Sequence, residues 1–252
     1  MTESTSTPTA PDMLSRIVDF IGRHLQCTQE QRIVLALWVI HTHCYTAFFT
    51  SPCLDIHSTQ KQAGKSVCLE LLSLLCNESW LTCGFTSSIL AKHVDCAPPT
   101  LLLDEREATL GSARRMKSPT LLAMLNSGFQ KSVSHQDSSG ILDIFCPKAF
   151  AGTAPLPESL AERSIPIFLE PLEAEDPVQR FFPSQARKEA EHLDPWIEQW
   201  SKENLSRLSA EPFRLPDGLS PILSHRQQDL IEPLLHIAQA IGGPWFTQAS
   251  HA

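Results

Sequence analysis

The stretch Thr59-Gln60-Lys61-Gln62-Ala63-Gly64-Lys65-Ser66 decides how this chain is read. It fits the phosphate-loop pattern G-x-x-x-x-G-K-[ST] at every fixed position except the first, where Thr59 stands in place of glycine. The pattern has a physical reason. Backbone N–H groups of the loop wrap the phosphates of a nucleotide, and the helix that follows points its positive end at them. On this reading Lys65 reaches the β- and γ-phosphates, Ser66 ligates Mg2+ and Gly64 lets the backbone approach closely. Thr59, Gln60, Lys61, Gln62, Ala63 and Val67 complete the cradle. The other reading is a chance Gly-Lys-Ser at a helix start.

The flanks support the loop. Cys53 to His57 reads as a short extended piece leading into the polar run Ser58–Ala63. Gly64 to Cys76 reads as a helix with Val67, Leu71, Leu74 and Leu75 on one face. A strand is expected over Leu81–Thr86, then a helix from Ser87-Ser88 through Val94, then a break at Pro98-Pro99. Thr100-Leu101-Leu102-Leu103 is a wholly apolar run that ends on Asp104-Glu105, the pattern of a buried parallel strand with polar residues at its C-terminal edge. Asp104 lies 39 residues after Lys65. In phosphate-loop hydrolases such an aspartate holds Mg2+ and the adjacent glutamate polarises the attacking water. The alternative is a solvated acidic pair at a strand end.

Outward from these motifs, residues 14–25 and 29–47 read as helices, the second capped by Thr28. A helix is expected over 117–127, and a hairpin from Ser132–Gln136 and Ile141–Phe145 around Asp137-Ser-Ser-Gly140. Lys148–Thr153 reads as a buried strand, 157–162 as a short helix and Ser164–Leu169 as a strand. Helices over 185–208 and 224–240 follow, the last ended by Gly242-Gly243-Pro244. Strands alternating with helices, then helices alone, give an α/β sheet domain with a helical C-terminal lid. The expected partition is a disordered tail 1–13, a helical segment 14–50, a core 51–172 and a lid 173–252.

Composition excludes some classes. With 42% hydrophobic residues among 252, the chain has enough apolar material for a substantial core. Its 20 basic and 28 acidic side chains give a net charge of −8, which excludes a uniformly basic nucleic-acid binder. The acidity is local: residues 1–157 carry 12 basic and 13 acidic side chains, and residues 158–211 carry 6 and 12. Within 106–131, Arg106, Arg114, Arg115, Lys117 and Lys131 face only Glu107, so this stretch reads either as a DNA contact or as a solvated face. The start lacks the basic and apolar regions of a signal peptide, and the run Ile33–Ile40 is too short to span a bilayer. A soluble, cytoplasmic protein is expected, with no membrane partner. The eight cysteines form no Cys-x-x-Cys pair, and His41-Thr-His43-Cys44 has no second cluster to complete a zinc cage, so these residues read as packing. The absence of a Gly-x-Ser-x-Gly elbow leaves a serine hydrolase without support.

From about Leu14 onward the chain resembles domain of unknown function 3631, a P-loop ATPase-like domain of primase–helicase and DNA-replication proteins of bacterial mobile elements. The resemblance is carried by Ala36-Leu-Trp-Val-Ile-His-Thr-His43, Ser58 to Leu72, Pro99-Thr-Leu-Leu-Leu-Asp-Glu105 and Leu125-Asn-Ser-Gly128. It continues in Pro147-Lys-Ala-Phe-Ala-Gly152, Leu156 to Ile165 and Leu223 to Ala238. It implies an additional-strand P-loop NTPase core, similar to AAA+ proteins, that uses ATP and Mg2+ and tolerates a non-glycine at the first loop position. By the same resemblance Thr153 stands where a sensor residue ends a strand. Arg163 looks like the arginine that touches a γ-phosphate in a neighbouring subunit of a homo-oligomer, and Arg226 looks like a lid sensor arginine. Each arginine also reads as an ion pair with an acid such as Glu162 or Asp229. Two functions follow from these readings. One is an ATP-hydrolysing motor or switch with Lys65, Glu105 and Arg163 as its catalytic residues. The other is a non-hydrolysing nucleotide-binding adaptor that docks on a primase or another replication protein.

Overall fold

Two kinds of apolar segment build the molecule: short runs buried on both faces, and helices with one buried side. The computed structural model describes residues 8–112, 115–137, 140–173, 178–216, 218–219 and 222–252. Helix α1 (Ala10–His24) starts on Thr9, whose hydroxyl accepts the Asp12 N–H at 3.4 Å. This corrects the expected tail 1–13. Residues 10–13 are helical because Thr9 caps them and Met13 is buried; residues 1–7 lie outside the described residues. Helix α2 (Gln29–Cys44) begins with a capping box between Thr28 and Gln31 and is buried continuously from Leu35 to Thr42, so it runs through the middle of a helical layer.

There follow β1 (Cys53–His57), α3 (Lys65–Leu75), β2 (Ser79–Thr82), α4 (Ser87–Cys96) and β3 (Thr100–Leu103). Next come α5 (Arg106–Leu110), β4 (Gly111–Ser112), β5 (Arg115–Met116), α6 (Pro119–Ser127), β6 (His135–Asp137) and β7 (Gly140–Leu142). The chain ends with β8 (Lys148–Gly152), α7 (Glu158–Ala161), β9 (Ser164–Phe168), α8 (Pro183–Ala210), α9 (His225–Ile241) and α10 (Trp245–His251). Five strands form one parallel sheet in the order β2-β3-β8-β1-β9. Leu54 pairs with Ala149 on one side and Ile165 on the other, and Ala149 pairs in turn with Leu102. β3 and β8 are buried at every position, as strands covered on both faces must be.

Alternation along the strands divides the core. Leu54, Ile56, Leu102, Ala149 and Ala151 face a cluster that includes α1, α2, α3, α8 and α9. Cys53, Leu101, Leu103 and Phe150 face the other cluster, with Leu90 of α4, Leu125 of α6 and Leu160 of α7. The segments 14–50 and 173–252 therefore share one apolar cluster. Trp245 Nε1 donates to Pro11 O at 3.1 Å, and Gln179 N–H donates to Arg23 O at 2.8 Å. Among the described residues no helix is long and apolar enough to cross a membrane.

Some expected boundaries move. β2 lies at Ser79–Thr82 rather than Leu81–Thr86, because Phe85 leaves the sheet to pack on Trp80, with ring centroids 5.1 Å apart. Thr86, not Ser87 or Ser88, caps α4. Helix α5 directly follows the acidic pair, where the sequence showed no period. Helix α10 restarts after Gly242 and Gly243, both at positive φ, because Trp245 buries its ring against the core.

Candidate functional site

In a parallel sheet joined by crossovers, the loops beyond the carboxyl ends of the strands form a continuous rim. Here β1 leads into residues 58–64 and the start of α3, β3 leads into Asp104-Glu105, and β8 leads into Thr153. Because β8 lies between β1 and β3, Thr153 stands between the loop and the acidic pair.

The loop needs its glycine. Gly64 holds φ +80°, a left-handed conformation that costs a residue with Cβ about 1–2 kcal/mol, and a Cβ there would stand 3.1 Å from Leu25 Cδ1. Three non-glycine residues share positive φ among the described residues, Gln62, Glu78 and Glu105, and two of them are in this site. No side chain among the described residues caps α3, so the N–H groups of its first turn have no side-chain acceptor there. Lys65 folds its ammonium back onto the loop and donates to Gln60 O at 2.9 Å. A cavity of about 570 Å3 opens beside Gln62 to Val67, and its wall includes His24, Gln26, Glu170, Gln179, Arg180 and Phe181. Thr59 and Gln60 border a second concavity, which shares Gln26 and Glu170 with the first.

On the acidic side, Asp104 is half-buried and its Oδ1 accepts the Glu105 N–H at 2.9 Å. Glu105 is exposed at φ +47°. Ser66 and Asp104 offer a hydroxyl and a carboxylate, hard oxygens of the kind that suit Mg2+. Among the described residues no three or more His, Cys, Asp or Glu side chains group as a metal cage. Mg2+ bound through one or two protein oxygens and substrate phosphates does not need such a cage.

The basic stretch does not form one surface. Arg106 is 2% exposed and ion-pairs with Asp55 of β1, so it is corrected from a DNA contact to an interior residue. Its Nη1 and Nη2 reach Asp55 and the carbonyls of Phe150 and Ala154, the kind of partners a buried cation requires, while Nε is buried without a partner among the described residues. Lys117 Nζ donates to Ala108 O at 2.8 Å, and Lys131 Nζ donates to Thr46 O at 2.8 Å, before β1. Arg114 lies outside the described residues, and of Arg115 only the backbone, in β5, is described.

Arg163 and Arg226 lie together at the opposite end of the sheet from the loop. Arg163 immediately precedes β9, and its carbonyl accepts the Cys53 N–H at 3.0 Å, at the start of β1. Its Nη1 donates to Ser159 O at 2.5 Å, while Nε is buried without a partner among the described residues. Burial, followed by the charge of Arg226, holds its pKa below the usual arginine value. Both guanidiniums approach the Phe129 ring, Arg163 at 5.9 Å from its centroid and Arg226 at 5.2 Å. Arg226 also stands 3.9 Å from Asp229. The length of β1, about 3.3 Å per residue, separates this pair from the loop. Arg226, expected as a lid sensor arginine that binds nucleotide, is thus a neighbour of Arg163 and away from its own chain's loop. The arginine that does line the loop cavity is Arg180, which no spacing rule connects with residues 59–66.

The histidines of the His41-Thr-His43-Cys44 run have separate partners. His41 Nε2 lies 3.0 Å from Ser51 Oγ, and His43 Nε2 lies 2.7 Å from Leu75 O. No protein-family model matches the chain, and no curated protein matches it.

Proposed function

We propose that the chain is a P-loop nucleoside triphosphatase that binds and hydrolyses ATP with Mg2+. The resemblance to domain of unknown function 3631 supports, as part of this proposal, a role in DNA replication or helicase-type remodelling for a bacterial mobile element. One observation carries the reading: the insertion of β8 between β1 and β3 brings the 59–66 loop, Thr153 and Asp104-Glu105 to one edge of the sheet. That strand order supports an additional-strand, AAA+-like core.

The chemistry follows from these positions. Backbone N–H groups of the loop and the start of α3 cradle the phosphates, and Lys65 exchanges the Gln60 carbonyl for a phosphate oxygen. Ser66 and Asp104 would hold Mg2+, which would supply positive charge against the phosphates. Glu105, exposed and fixed by its backbone, orients and polarises water, and Thr153 touches the terminal phosphate. The 570 Å3 cavity beside the loop, walled by His24 and Phe181, takes the base and sugar. Arg163, at the far edge, acts on the nucleotide of a neighbouring copy, with Arg226 beside it.

The test is a comparison of purified variants. Lys65→Ala should abolish ATP binding. Glu105→Gln should retain binding and lose hydrolysis by about 100-fold or more, since it removes the base but not the cradle. Equal hydrolysis by wild type and Glu105→Gln would sink the assignment. The adaptor reading is favoured by one feature, the absence of Arg163 and Arg226 from their own chain's loop. Tight ATP binding without turnover at any protein concentration, with or without single-stranded DNA, would select it.

A further inference from the structure

The residues just after the acidic pair form an arrangement that no motif announces. Arg106 ion-pairs with Asp55 of β1 and donates to the carbonyls of Phe150 at 3.1 Å and Ala154 at 2.7 Å. Beside it, the Glu107 carboxylate lies across the end of β8. Its Oε1 accepts the backbone N–H of Thr153 and that of Ala154, the latter at 2.6 Å, and faces the Thr153 hydroxyl at 3.4 Å. Gly152 makes the approach possible, because a Cβ there would overlap that carboxylate oxygen and stand 2.7 Å from Arg106 Cγ. Glu105 stands between these anchored side chains and Asp104, in its left-handed conformation.

We infer that Arg106 and Glu107 are positioning residues that tie the Asp104-Glu105 turn to β1 and to the end of β8, so that turn and strand end move as one body. The coupling rests on this geometry alone; its chemical consequence rests on the hydrolase reading above.

Three physical points carry the coupling. A buried ion pair adds little net stability over apolar side chains of the same volume, so the main effect of Arg106 on Asp55 is to fix position. A left-handed glutamate is strained and persists only where its flanks over-determine it. A carboxylate on two consecutive N–H groups makes charge-assisted hydrogen bonds, about twice as strong as neutral ones. Burial pushes the Glu107 carboxyl up, but hydrogen bonds from Ala154, from its own backbone and from Thr153, with the Arg106 charge, bring it below the ordinary value. If Thr153 meets the terminal phosphate, its movement is transmitted through Glu107 to the residue that orients water. A misplacement of about 1 Å there costs up to about 100-fold in rate.

The experiment uses the full chain and has two readouts. First, amide hydrogen exchange without nucleotide compares wild type with Glu107→Ala. Protection should fall by about tenfold or more at Thr153 and Ala154, and equally at Glu105 and Ala108, whose N–H groups are bonded within the turn. Loss confined to Thr153 and Ala154 overturns the coupling. Should Glu107→Ala fail to fold, wild type serves. The amide shifts of all four residues should contain one shared step as Glu107 protonates, below the ordinary glutamate value, and that step should vanish in Glu107→Gln. Absence of that step at Glu105 and Ala108 overturns the inference. Second, for Mg-ATP turnover, kcat of Glu107→Ala should fall about 10- to 100-fold with nucleotide affinity within about twofold, and Glu107→Gln should recover most of it. An unchanged kcat overturns the positioning role. A wild type that binds no ATP refutes the hydrolase reading instead, and the exchange and titration data then decide the coupling.

Discussion

The two ends of the parallel sheet treat the same side chain in opposite ways. Lys148 opens β8 at the N-terminal end, wholly buried, and its ammonium donates to the carbonyls of Cys146 at 2.6 Å, Gly128 at 2.8 Å and Ile144 at 3.3 Å. Lys65 stands at the C-terminal end, half-buried, with one hydrogen bond to Gln60 O. A lysine has three donors, so the first is fully matched by the fold while the second keeps donors in reserve for an anion. Arg106 and Arg180 repeat the contrast at one end: the first is locked to Asp55, the second lines the loop cavity. Position along the chain does not separate a structural cation from a binding one.

The largest expected effects test that contrast directly. Lys65→Met should remove ATP binding and change stability by no more than about 0.5 kcal/mol. Lys148→Met should leave three carbonyls without their donor and cost about 3 kcal/mol or more, a fall in Tm of about 6–12 °C by thermal melting. Equal melting of Lys148→Met and wild type would break the comparison.

A somewhat smaller effect concerns Arg163. On the proposed reading, its replacement by alanine should lower turnover about 100-fold with ATP affinity unchanged, because its own chain's loop lies at the other end of the sheet. Mixing Arg163→Ala with Lys65→Ala should restore part of the activity, since a mixed pair contains one intact loop facing one intact arginine. Absence of rescue, in mixtures shown to co-assemble, removes the role in trans. Arg180→Ala should instead raise Kd for ATP about tenfold, as loss of one charge-assisted contact would. Arg226→Ala should leave Kd unchanged; an equal rise in Kd for both would contradict their placement.

The smallest effect is a pH slope. His41 is fully buried beside Ser51, and burial pushes its pKa down from 6.5 to about 3. Between those values the unfolded chain holds a proton that the folded one excludes. Stability is complete above pH 6.5 and falls as pH drops, by up to about 1.4 kcal/mol per pH unit from this residue. Burial lowers His43 and His236 as well, so they add with the same sign. Urea midpoints at pH 7.5, 6 and 5 should show the decline, and His41→Gln should flatten it. Parallel slopes for both proteins would assign the decline to other groups.

Much of the architecture is legible in the sequence because its signals are local. The capping box at Thr28 and Gln31, the apolar run Thr100–Leu103 and the helix after Gly64 each depend on neighbours within a turn or a strand. α5 escaped because five residues show no helical period. The charge run 106–131 misled because a one-dimensional count cannot separate Arg106, which is covered by β1 and β8, from Lys117 and Lys131, which stay exposed.

The sequence by itself determined the loop with its left-handed glycine, the buried parallel strands and the acidic pair at the end of one of them. Those depend on short-range sterics and apolar periodicity. Only the tertiary structure decided which groups meet. Strand order set Thr153 between the loop and Asp104, buried Arg106 against Asp55, brought Arg180 to the loop and left Arg163 and Arg226 together at the far end. Such meetings depend on how distant segments pack, and no spacing along the chain encodes that packing.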